Sequence, residues 1–73
     1  MPNHYQAYIL AGNAFREQSK WDQALESYKH ATKIDPNSVY AWQGIILTYE
    51  RQGIKNHSDL LDAYKKVATF FEK

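Results

Sequence analysis

Residues 21–38 read WDQALESYKHATKIDPNS, and this stretch decides the fold. From Trp21 to Ile34 the apolar residues Ala24, Leu25, Tyr28, Ala31 and Ile34 recur at helical spacing. Pro36 then biases Asp35 away from the helical region and ends the run. The stripe mixes sizes, with Ala24 and Ala31 one turn to either side of Tyr28. Small residues flanking one aromatic let a second backbone come close, while the ring fills the space beside it. Such a stripe needs a partner helix along its length.

Three further stretches carry the same periodicity. One spans about His4 to Gln18, with Tyr8, Ala11, Gly12 and Phe15 on one face; Asn3 and Gln6 have the spacing of a capping pair. Another spans Ser38 to Gln52, with Trp42, Ile45, Ile46 and Tyr49 together and Gly53 as a natural terminating residue. The last spans about Ser58 to Glu72 and carries Leu60, Leu61, Tyr64, Val67, Ala68 and Phe71. Ser19 followed by Asp22 resembles a capping box for the helix opening at Trp21. No alternating run bounded by turns competes with these periods, so the expected class is all-α.

The halves repeat one another. Tyr8 and Trp42, Ala11 and Ile45, Phe15 and Tyr49, and Ser19 and Gly53 are each 34 residues apart. Ala24 and Leu60, Tyr28 and Tyr64, and Ala31 and Val67 are 36 apart, which puts two extra residues in the second turn. A period in the thirties marks a stacked helical array. The first copy, with Tyr8, Ala11, Gly12, Phe15, Ala24, Tyr28, Ala31 and Pro36, resembles a tetratricopeptide repeat (TPR). In the second copy Trp42, Tyr49, Gly53 and Tyr64 fit, while Ile46 and Leu60 stand where that family favours small residues. The resemblance implies one module over 1–73, with repeats at about 5–38 and 39–73, built as two antiparallel helix pairs in a short solenoid.

A narrower resemblance rests on Trp42-Gln43-Gly44, Tyr49-Glu50 and the expanded turn. These are similar to early repeats in the TPR scaffold subunits of the superkiller complex. That resemblance implies a place beside a helicase and WD-repeat subunits in cytoplasmic mRNA decay.

Bulk composition excludes several classes. The 73-residue chain contains no cysteine, so neither a disulfide frame nor a thiolate metal site reinforces its small core. Nine basic residues against eight acidic ones give a net charge of +1 without a basic block. Direct nucleic-acid binding is therefore not expected. The longest apolar run, GIILTY, is far too short for a bilayer span, and no signal segment opens the chain. The expectation is a soluble, cytoplasmic protein.

The resemblance also implies a working surface: TPR arrays bind partners on the concave face formed by the first helix of each pair. Helical spacing places Gln6, Ile9, Asn13 and Arg16 there, followed by Tyr40, Gln43, Leu47 and Arg51. Such a groove suits an extended or helical peptide, with amides holding its backbone and Ile9 and Leu47 offering apolar contact. The family's clamp for a chaperone C-terminal carboxylate is not expected. Asn13 matches that clamp, but Ile9 stands where it has Lys and Gly44 where it has Asn.

No chemistry of the chain's own is expected. His4, His30 and His57 lack ligand spacing, so no metal or other cofactor is anticipated. No His and acid are placed around Ser19, Ser27, Ser38 or Ser58, and the chain does not read as an enzyme. The last helix carries more apolar surface than one partner helix covers, and no polar capping helix follows Lys73. The expectation is a piece of a longer solenoid, or a module that self-associates through Leu61, Val67, Phe70 and Phe71.

Overall fold

A computed structural model describes residues 4–72. It contains four helices, α1 (Tyr5–Glu17), α2 (Trp21–Ile34), α3 (Val39–Arg51) and α4 (Ser58–Phe71), and among the described residues no strand. Helix α1 packs on α2, α2 on α3 and α3 on α4, and α1 also touches α3. The fold is thus an all-α helical repeat in which two antiparallel pairs stack on one another. The α2 bounds match the sequence reading, and the remaining helix ends agree to within a residue.

Alternating small and large residues form the core. Ala24, Ala31, Ala41 and Ala63 are fully buried, as are Tyr28 and Leu60, with Ile45 and Tyr49 nearly so. Thr48 is also buried; its hydroxyl donates to the Gly44 carbonyl at 2.7 Å, so no polar group is stranded there.

Both first helices end in the same way. The Ser19 N–H bonds the Arg16 carbonyl and the Lys20 N–H the Phe15 carbonyl; Gly53 and Ile54 repeat this on Glu50 and Tyr49. This is the Schellman pattern, which needs one residue in the left-handed region. Gly53 takes it at φ 76° without a steric cost, and Ser19 takes it at φ 59° with one. Ser19 therefore closes α1. It does not cap α2, whose N-cap is Lys20 with no side-chain bond. Asn3 lies outside the described residues, and α1 opens at His4, also without a side-chain cap.

The connections differ. Three residues join α1 to α2 and six join α3 to α4. Between α2 and α3 the turn is pinned twice. The Asn37 N–H donates to Asp35 Oδ1 at 3.1 Å, and the Trp42 indole N–H donates to the Pro36 carbonyl at 2.8 Å. In the longer turn His57 caps α4, its Nδ1 accepting from the Asp59 N–H at 3.1 Å, and its ring stacks on Tyr49 with centroids 4.7 Å apart.

Candidate interaction surface on the α1 and α3 helices

The central feature is the path of Tyr28. Its ring leaves α2 and passes between α1 and α3 where both carry glycine. A Cβ added to Gly12 would lie 2.7 Å from Tyr28 Cε1, and one added to Gly44 would lie closer still. Any side chain at either place would close the slot. The tyrosine is fully buried, and its hydroxyl emerges among α1 side chains. There it donates to Asn13 Oδ1 and accepts from Arg16 Nη1 at 2.8 Å. Arg16 Nη1 also lies 3.4 Å from Asn13 Oδ1, closing a three-membered polar cluster.

Burial pushes the Tyr28 phenol above its ordinary pKa, and the Arg16 charge offsets part of that rise. The hydroxyl is consequently a fixed neutral donor and acceptor. Arg16 Nε is buried without a partner. One face of the guanidinium is therefore satisfied from inside the molecule while another donor has no protein acceptor.

The eight residues expected on this surface fall into two groups. Asn13 and Arg16 are half-buried and joined through Tyr28, and Ile9 is half-buried against the core. Gln6, Tyr40, Leu47 and Arg51 are exposed and Gln43 is half-buried. Nothing in the spacing of α1 alone indicated that Asn13 and Arg16 would be tied to α2. A usable signal lay in α3, where Ala41, Gly44 and Thr48 form a small-residue stripe at i, i+3 and i+7, wide enough for a ring from a neighbouring helix.

A separate recess lies elsewhere. A cleft of about 780 Å³ runs between α2 and the α3–α4 turn, walled by Leu25, Tyr49 and Ile54 and by charged residues including Glu26 and Lys33. Lys29 Nζ reaches across it to Asp59 Oδ2 at 2.7 Å. That bond holds the Asp59 carboxyl below its usual pKa and raises Lys29 above its own. Among the described residues no set of three or more His, Cys, Asp or Glu side chains could hold a metal ion. No described helix is long and apolar enough to cross a membrane.

Of the four residues expected to mediate self-association, Leu61 and Phe71 are exposed on α4, and Val67 and Phe70 are half-buried. Lys66 Nζ sits 5.9 Å from the centre of the Phe70 ring.

A family model described as TPR repeat matches residues 12–53, more than half of the chain. The chain belongs to the tetratricopeptide-repeat family. Its TPR sequence is 35% identical over 71 residues, 96% of this chain, to superkiller complex protein 3 of Homo sapiens. It is 34% identical over 70 residues, 94% of this chain, to tetratricopeptide repeat protein 37 of Xenopus laevis. Over 38 residues, 52% of this chain, it is 40% identical to protein O-mannosyl-transferase TMTC1 of Mus musculus. In each case the chain spans about 4% of the relative's length. The matches are thus to short segments of much larger proteins. No solved structure matches the chain.

Proposed function

We propose that this TPR chain is a protein-interaction module, with no catalysis or cofactor of its own, whose α1/α3 face receives an extended or helical segment of a partner protein. TPR repeats mediate protein–protein interaction as a class, and the observation that carries the finer reading is the Tyr28 slot. Two glycines leave room for a back-helix hydroxyl to reach Asn13 and Arg16, which fixes a polar anchor beside exposed apolar side chains. Preorganised donors lower the ordering cost of binding, while Tyr40 and Leu47 supply apolar contact. The working unit is the pair of repeats at 5–38 and 39–73.

The test is comparative capture from a cell lysate, using the wild-type chain and a Tyr40→Ala/Leu47→Glu variant. Both positions are exposed and outside the Tyr28 cluster, so the fold is left intact. Proteins held by the wild type and lost by the variant support the groove. Identical sets from both overturn it.

A second reading follows from the relatives' names: a scaffold segment of a superkiller-like complex, working in the cytoplasm without touching nucleic acid directly. It requires superkiller-complex components among the captured proteins. A purely structural role is the remaining rival. It gains support if Asn13→Ala with Gln43→Ala leaves every association intact while Phe71→Asp abolishes association.

A further inference from the structure

The two ends of the molecule carry the two halves of its own internal interface. On α2 the residues turned toward α3 are covered: Leu25 is 9% exposed and Tyr28 0%. Their counterparts 36 residues on are open, Leu61 at 45% and Tyr64 at 42%. Positions turned toward the first helix of each pair do not change in this way, since Ala24 and Leu60 are both fully buried. Leu61 and Tyr64 therefore leave open the face that on α2 receives α3.

The opposite end shows the complementary half. On α3, Ala41 and Thr48 are fully buried on the stripe of Gly44, which presses on the Tyr28 ring. Their counterparts 34 residues earlier, Ala7, Leu10 and Ala14, are all exposed, Leu10 at 68%. We infer that a second copy of this chain docks head-to-tail, with α1 of one copy on α4 of the next, repeating the packing of α3 on α2.

The residue changes at the two ends match one another. Tyr28 inserts and demands glycine at both Gly12 and Gly44. Tyr64 lies outside, its hydroxyl donating to Glu50 Oε2 at 2.8 Å, and Ile46 fills the place equivalent to Gly12. A ring that does not insert requires no glycine from whatever covers it, and Leu10 stands where α3 has Gly44. No charged residue occurs from Tyr5 to Phe15, so the stretch of α1 that holds Ala7, Leu10 and Ala14 carries no cation to repel Lys65 and Lys66 beside the α4 face. Because the half-faces differ, the contact is heterologous and leaves a free end at each stage. A single helix-on-helix contact buries less than the roughly 800 Å² per partner of a standard interface, so association is weak and concentration-dependent.

Sedimentation velocity across a concentration series reaching about 1 mM tests this. The wild type is expected to grow past dimer as concentration rises. Leu10→Asp and Leu61→Asp each remove one half-face at an exposed site, and each alone is expected to stay monomeric, its dissociation constant raised more than tenfold. An equimolar mixture of the two variants retains one intact head and one intact tail, so it is expected to form dimers and stop there. A wild type monomeric throughout overturns the inference. So does association that survives Leu10→Asp, which means tail-to-tail contact, or that survives Leu61→Asp, which means head-to-head contact. Failure of the mixture while the wild type assembles overturns it as well. Helical circular dichroism verifies each variant's fold, with Ala14→Lys replacing Leu10→Asp if helicity is lost.

Discussion

Tyr28 and Tyr64 hold equivalent places in the two helix pairs and end in opposite states. Tyr28 is threaded between two glycines, wholly buried, with its hydroxyl shared by Asn13 and Arg16. Tyr64 is open on one side and tethered to Glu50, and that bond holds its phenol above the ordinary tyrosine pKa. What differs is the neighbour. Gly12 opens a slot for the first ring, whereas Ile46, its counterpart, leaves none for the second. Repetition of a residue type therefore does not repeat its role: the same tyrosine is a core bolt in one pair and a surface side chain in the other.

The largest expected effect separates the two directly. Tyr28→Ala empties a packed slot and strands Asn13 and Arg16, and should cost about 3–5 kcal/mol in urea unfolding. Tyr64→Ala should fall within the scatter of surface substitutions. Similar losses at both positions would break the comparison. Next comes Gly44→Ala. A methyl pressed into the Tyr28 ring should destabilise by about 2 kcal/mol, even though alanine is the better helix former.

Smaller effects compare the two helix ends. Gly53→Ala forces a Cβ into the left-handed region and should cost about 1 kcal/mol, while Ser19→Gly relieves the same strain and should gain about 0.5 kcal/mol, both read as shifts in the denaturation midpoint. The Lys29–Asp59 bridge should matter least. Both side chains are substantially exposed, so Asp59→Asn should cost no more than about 0.5 kcal/mol. Its pH dependence has a definite sign. Asp59 has a lowered pKa when folded, so its contribution is complete above the ordinary aspartate range and vanishes as pH falls through the lowered value. Lys29 has a raised pKa, so the bridge is lost again as pH rises through that raised value. Wild type and variant should therefore converge at both extremes of pH.

Much of the fold was legible in the sequence because helix periods, Pro36 and Gly53 act locally. The α2 stripe of Ala24, Tyr28 and Ala31 announced a close helix partner, and the 34- and 36-residue offsets announced the repeat. What escaped depends on which elements meet. Gly44 read as a missing Asn in a clamp, yet its work is to admit a ring from α2. Ser19 looked like a cap for the helix after it, and instead closes the helix before it, because a left-handed backbone leaves no trace in a serine. Histidine is not a usual N-cap, so nothing in the spacing marked His57 as the cap of α4. The expected groove residues were legible as positions on α1 and α3. The link from Asn13 and Arg16 to Tyr28 was not, since it spans 12 to 15 residues and two helices.

The slot itself is tested most directly by measuring Gly44→Ala in two backgrounds by chemical denaturation. In the wild-type background the added methyl meets the Tyr28 ring and destabilises by about 2 kcal/mol. In a Tyr28→Ala background the obstruction is gone, and the same change should stabilise by about 0.5–1 kcal/mol through helix propensity alone. A change of sign between the backgrounds is the predicted result. An equal effect in both would mean that Tyr28 does not pass beside Gly44, and the account of the slot would be wrong.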